Sequence, residues 1–182
     1  MIQEFRLIIP AKPSSDWSGG WAAGSINAHY FHYKRFGKVL WFQYFQKKGF
    51  GKFRKYIDNN WSFLRKNPGR SREGVKISDT GYFYKNGSGN ITWQFKLEKI
   101  IGINEIPPKD MIFIPEFRKI YLEEAQDYKR QTYWFLISNM KKLKNPIKCL
   151  ESEKFKTYKP SSNKPTFLTG SHVRTNGFVC IF

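Results

Sequence analysis

The segment from residue 81 to residue 100 constrains the fold more than any other part of the chain. It reads GYFYKNGSGNITWQFKLEKI, with apolar residues alternating on two arms around an Asn-Gly-Ser-Gly turn at 86–89. Asparagine and glycine suit a tight turn, and alternation is the period of a strand, so the segment predicts a β-hairpin. Because a strand rather than a helix follows the turn, these glycines are not a phosphate-binding loop.

The remaining segments predict more strands and two short helices. Apolar residues at three-to-four spacing predict an amphipathic helix that starts near Phe53 and ends at 67–69. The other predictions are strands at 4–10 and 178–182, two strands around a turn at Gly37 in 27–45, a strand with a short helix in 111–129, and a strand from 131 followed by a Lys-rich turn at 145–146. We therefore expect an α+β fold, mostly β, forming a partly closed barrel flanked by short helices.

The charge balance limits the partners of such a fold. The chain has 32 Lys and Arg against 14 Asp and Glu, a formal net charge of +18. The anionic partner that best fits such a positive charge is a nucleic acid, and the alternative partner is an anionic membrane surface. We expect no membrane contact, because there is neither a basic amphipathic membrane helix nor an apolar run of spanning length. With no signal peptide evident, we expect a cytoplasmic protein.

The basic residues concentrate between Lys34 and Lys76. This stretch carries thirteen Lys and Arg but only Asp58 and Glu73 as acids. We interpret it as a basic helical insertion that contacts phosphates, although a solvated surface is the alternative. The turn at Lys34, Arg35 and Phe36 could also wedge into a groove. The predicted phosphate contacts, which include one residue near the amino terminus, are Lys12, Lys34, Arg35, Lys47, Lys48, Lys52, Arg54, Lys55, Arg70 and Arg72.

Catalytic and metal-binding patterns are missing from the sequence. It contains no Walker-type loop, no zinc-deaminase pattern and no nucleophile elbow. Two cysteines and three histidines do not supply a zinc knuckle, and most acids stand beside lysines. We therefore predict a recognition domain that is not an enzyme and needs no cofactor. A small metal-dependent nuclease stays as an alternative.

Several motifs, taken in order, resemble a known family. The strand EFRLII leads into the loop PAKPSSD and a glycine-tryptophan step at 20–22; GYFYKNGSGNITWQFKLEKI and TYWFLISNMKKLKNPI follow later. This order resembles the YTH and EVE domains of the PUA-like superfamily, over most of the chain except 34–76. The resemblance implies a β-barrel with flanking helices that holds a flipped, often methylated base in an aromatic cage.

The resemblance also implies roles for individual residues. Trp21 corresponds to the first cage wall, and the pocket Lys and Ser correspond to Lys12 with Ser14 or Ser15. The second wall would come from 98–132, where no tryptophan occurs, so Phe117 or Tyr121 must serve. Neighbouring residues that could stack on the base or bond its edge are Trp17, Asn27 and Tyr30.

Domains of this kind also begin the DNA-binding GTPase subunit of McrBC-like restriction systems. The chain is accordingly predicted to be one nucleic-acid-binding domain, 1–182, from the amino-terminal part of a longer protein. We expect it to recognise a modified base in DNA and to work with motor and nuclease subunits. An RNA-binding reader of the same superfamily is the alternative.

Overall fold

The computed structural model describes residues 2–11, 26–44, 53–85, 90–124, 132–148, 156–158, 165–167 and 177–181. Within them the strands are β1 (Gln3–Ala11), β2 (Lys38–Tyr44), β3 (Ser71–Arg72), β4 (Val75–Ile77), β5 (Thr80–Lys85), β6 (Asn90–Gly102), β7 (Thr132–Lys148), β8 (Lys156–Tyr158), β9 (Pro165–Phe167) and β10 (Gly177–Ile181). The α-helices are α1 (Ile26–Phe36), α2 (Phe53–Leu64) and α3 (Glu116–Glu124), and two 3-10 helices span Ile103–Glu105 and Pro108–Phe113. The fold is mixed and mostly β, as predicted.

Eight strands form one mixed sheet. Its order is β2-β7-β6-β5-β1-β4-β3, with β10 pairing antiparallel to β1, while β8 and β9 form a separate two-stranded sheet. The main sheet is not closed into a barrel, so the predicted barrel is wrong in this respect. At the β2 edge, the guanidinium of Arg118 in α3 lies over the rings of Trp41 and Phe42. The Arg118 side chain therefore contacts side chains of this edge strand.

Apolar side chains cover both faces of the sheet. The larger core contains alternate residues of β1 and β2, among them Phe5, Leu7 and Trp41, together with Ile26 of α1 and Leu64 of α2. The other face has a smaller core, which packs against the 103–122 region. Members of the smaller core are Leu40, Phe42, Ile101, Ile114, Trp134 and Leu136. Strands buried on both sides explain the near-continuous apolar runs of the sequence.

The segment 26–36 is a helix, and the strand predicted for it is wrong. Its aromatic residues alternate as in a strand, but Ile26, His29 and Tyr33 also recur at helical spacing and face the core. Gly37 takes the positive φ (72°) that the sequence predicts, yet it ends the helix, donating its N–H to the Tyr33 carbonyl at 2.7 Å. Lys34 and Arg35 in the last turn suit the negative end of the helix dipole.

The β5–β6 hairpin is confirmed by its antiparallel register from Thr80↔Lys96 to Lys85↔Asn90. The Lys-rich turn predicted at 145–146 is instead an irregular part of β7. Trp93 pairs with Lys142, and Ile91 pairs with Ile147. Ile91 and Trp93 are two positions apart on β6, whereas Lys142 and Ile147 are five positions apart on β7. The β7 strand therefore has three extra residues here. The extra residues let Pro146 lie in a strand without supplying a ladder N–H.

The basic stretch 34–76 is built into the sheet and is not added to it. Its strand β2 pairs with β7, and its strand β4 pairs with β1. The predicted helix in it is confirmed as α2, and the helix predicted within 111–129 is confirmed as α3. The strand predicted near 111–114 is wrong, because Pro108–Phe113 is a 3-10 helix with proline at its start. In the described part of the chain, no helix has both the length and the apolar character needed to cross a bilayer.

The main sheet has two distinct ends. At one end β1, β5 and β7 finish and β6 begins, because Ala11 pairs with Lys85, Lys85 with Asn90, and Asn90 with Lys148. We call this end the Trp93 end. The opposite end, which includes the start of β1 and the turn after β6, is the Glu105 end. The nine residues of β1 separate them by about 26 Å at roughly 3.3 Å per residue.

Candidate nucleic-acid interface

Most of the predicted base-binding loop lies outside the described residues. The predicted site residues that lie outside the described residues are Lys12, Ser15, Trp17, Trp21, Lys47, Lys48 and Lys52. The side chains of Arg54, Lys55 and Tyr121 also lie outside them. The described residues that bound the loop are Ala11, at the Trp93 end, and Ile26, where α1 begins. The loop therefore starts at the Trp93 end, and Tyr30, one turn into α1, contacts that same end through Trp93.

Aromatic and basic side chains adjoin one another at the Trp93 end. The Tyr30 ring meets the Trp93 ring edge-to-face, with centroids 4.9 Å apart, and lies 5.9 Å from the Tyr33 ring. Both Tyr30 and Trp93 are half-buried. Lys34 follows Tyr30 by four residues, so the two share a helix face. Lys142 pairs with Trp93 across the strands and therefore points to the same side of the sheet.

The carboxyl half of β7 extends this basic surface. β2 covers β7 only from Thr132 to Ser138, so beyond Ser138 the described residues of β7 pair with β6 alone. Lys141, Lys142 and Lys144 are exposed along this part. Within the described residues none of the three forms an ion pair. The cross-strand neighbours of Lys141 and Lys142 are also uncharged, since Lys141 faces Gln94 and Lys142 faces Trp93.

Phe117, predicted as a second cage wall, packs against α1. Its half-buried ring meets the His29 ring edge-to-face at 5.1 Å. Tyr30 packs instead on Trp93 and Tyr33. These two candidates therefore contact different groups, and the described residues do not show a cage between them.

A buried cluster lies behind Phe117. His29 has no exposed surface and stacks on Trp41 at 4.0 Å. Arg118 donates from Nε to Nε2 of His29 at 3.4 Å. The cluster joins α1 and α3 around the edge strand β2, which is a structural role.

The predicted wedge residues Lys34, Arg35 and Phe36 lie in the last turn of α1. The Phe36 ring is half-buried and packs on the His32 ring at 4.6 Å. His32 donates from Nε2 to the Ile112 carbonyl at 3.0 Å. Burial lowers the pKa of His32, and the charge of Arg35 adds to this effect. The His32 ring thus packs on the Phe36 ring, while Lys34 and Arg35 remain exposed.

Arg70 and Arg72, two further predicted phosphate contacts, are exposed but lie at the Glu105 end. Arg72 pairs with Val75, which in turn pairs with Gln3 at the start of β1. The Arg72 guanidinium lies 5.2 Å from the Phe63 ring. Of the predicted phosphate contacts whose side chains the structure describes, Arg70 and Arg72 therefore lie at a different end of the sheet from Lys34 and Arg35.

Ion pairs at the Glu105 end are part of the fold. Arg65 is nearly buried and donates to both carboxylate oxygens of Glu105, at 2.5 and 3.0 Å. These bonds hold the pKa of Glu105 below its usual value. Burial raises the pKa of Glu4, but hydrogen bonds from Lys76 and Ser78 outweigh it and leave that pKa lowered.

The sequence predicted Tyr30 and Lys34 as nucleic-acid contacts. It did not predict a surface role for Trp93, Lys141, Lys142 or Lys144. Among the described residues, no group of three or more His, Cys, Asp or Glu could hold a metal ion.

Comparison of the chain with family models, curated proteins and solved structures gives no match.

Proposed function

We propose that this chain binds nucleic acid, preferably DNA, through the Trp93 end of its sheet. The observation that carries the proposal is the continuous row of Lys34, Tyr30, Trp93 and Lys142. Lysines without carboxylate partners attract phosphates and release counterions, and half-buried aromatic rings offer stacking surfaces for bases. The net charge of +18 supports the same class of partner.

We further propose that the chain recognises a modified base flipped out of the helix. This part is supported by the resemblance to YTH and EVE domains. The loop that carries Trp17 and Trp21 begins at the same end of the sheet as the aromatic row. Extrusion of a base costs a few kcal/mol, and stacking on each ring contributes about 1–3 kcal/mol. Trp21 would supply one ring, and the lysines would supply affinity that does not depend on sequence.

A panel of oligonucleotides of one sequence tests both parts of the proposal. DNA and RNA versions, with plain and methylated adenine or cytosine, are titrated with the protein at fixed salt and then over a salt series. We expect salt-dependent binding and a preference for one modified DNA of about 5- to 150-fold, the range of one added methyl. Trp21→Ala should lose this preference while the protein stays folded.

Each result contradicts a different part of the proposal. Equal affinity for modified and plain DNA would remove base recognition but leave DNA binding. A preference for RNA would favour the RNA-reader alternative. Affinity independent of salt would exclude the phosphate contacts.

A further inference from the structure

Phe31 is the most exposed of the large apolar side chains in the described residues. It lies in the middle of α1, and 68 % of its surface is accessible. The core-facing positions of this helix are taken by residues such as Ile26 and His29. Packing therefore does not explain an aromatic residue at this position.

The residues that share a helix face with Phe31 are polar or positively charged. Lys34 and Arg35 follow it by three and four residues, and Asn27 precedes it by four, so all of these share one face of α1. Lys34 and Arg35 are exposed, and within the described residues neither forms an ion pair. An exposed aromatic ring next to two exposed cations is complementary to a base with its phosphates.

We propose that Phe31 stacks on an unpaired nucleobase while Lys34 and Arg35 contact the phosphates beside it. This inference rests on the proposed function and adds a contact outside the predicted base pocket. The stacked base must be unpaired, because neighbouring pairs cover both faces of a base inside a duplex. Phe31 takes the place that the sequence predicted for Phe36, whose ring is packed on His32.

The position of Phe31 relates this contact to the predicted pocket. The loop 12–25 enters α1 at Ile26, five residues before Phe31. Lys34 belongs both to this face and, through Tyr30, to the row at the Trp93 end.

Fluorescence anisotropy with a labelled single strand tests the stack. Phe31→Ala should weaken binding by about 5- to 150-fold, the contribution of one stacked base. Phe31→Trp should bind as well as the unchanged protein. Phe31→Leu, a good helix former without a π face, should bind weakly and show normal thermal unfolding. Ile2→Ala, which truncates an exposed apolar residue before β1, serves as the matched control and should have no effect.

A series of labelled oligonucleotides, each with one abasic position, locates the stacked base. At that position, unchanged protein and Phe31→Ala should bind equally, because the partner of the ring has been removed. If Phe31→Ala bound every strand as tightly as the unchanged protein, the inference would be wrong and the proposed function would stand. A loss that persisted at every abasic position would also overturn it. Failure of the unchanged protein to bind any nucleic acid would instead refute the proposed function.

Discussion

The two ends of the sheet treat their basic residues differently. At the Glu105 end, Arg65 is held by Glu105 and Lys76 by Glu4. At the Trp93 end, Lys141 and Lys142 face uncharged neighbours and form no ion pair within the described residues. The first set of charges is already compensated by the fold, whereas the second is available to a partner. A formal net charge therefore does not indicate which basic residues bind an anion.

The separation of the ends makes the comparison testable. About 26 Å along β1 is well beyond the Debye length of about 8 Å at physiological salt, so a charge change at one end barely affects the other. Variants at each end can thus be interpreted independently.

The largest effect should come from neutralising the Trp93 end. In the variant with Lys34, Lys141, Lys142 and Lys144 all changed to Gln, we expect affinity for DNA to fall by about a hundredfold or more at physiological salt. The slope of log K against log salt should become shallower by up to about 3.6, because each of the four phosphate contacts contributes about 0.9. Titrations at several salt concentrations measure both quantities.

The control removes three positive charges at the other end, those of the exposed Lys66, Arg70 and Arg72, and is compared per charge removed. If this control lost as much affinity and slope as the first variant, the ends would not differ and the proposed interface would be misplaced.

A smaller effect, on stability and not on binding, is expected at the Glu105 end. Glu105→Ala leaves the nearly buried Arg65 without its carboxylate partner, which should cost about 1–3 kcal/mol of unfolding free energy. Denaturant unfolding measures this loss, and DNA affinity should stay unchanged. Lys144→Ala is the control, since this exposed lysine should be neutral for stability. A Glu105→Ala variant with normal stability and reduced affinity would reverse the roles of the ends.

The smallest effect concerns pH. The pKa values of Glu4, Glu98 and Glu105 are all lowered from 4.5, so the folded state holds their protons less tightly than the unfolded state does. Their contribution to stability is complete above pH 4.5 and is lost as the pH falls through the folded values. Glu105→Gln should therefore lose less stability than the unchanged protein when denaturation is compared between about pH 5 and pH 3. An unchanged acid dependence would contradict the role given to the Arg65 pair.

The sequence predicts those parts of the fold in which local pattern and tertiary structure agree. The β5–β6 hairpin combines alternation with a suitable turn, and α2 has one clear period. In α1, by contrast, aromatic residues satisfy both periods, and Gly37 suits both a hairpin turn and a helix end. Burial of His29 against Trp41 decides for the helix, and that contact is not visible in local sequence.

The candidate site was predicted in part for a similar reason. Tyr30 and Lys34 stand out beside the tryptophan-rich loop, but Trp93 and Lys142 meet only through strand register. That register contains shifts that the sequence pattern does not reveal. Phe31 could have been found once 26–36 was recognised as a helix, because it falls on the polar side of the helical period.

The irregular pairing of β6 and β7 has a consequence for self-association. The outer edge of β7 beyond Ser138 would, if straight and apolar, offer a template on which the same strand of a second molecule could assemble into fibrils. Its extra residues bend the strand, and its lysines repel an identical neighbour. We therefore expect the same lysines that would contact a nucleic acid to oppose edge-to-edge pairing of two copies of the protein.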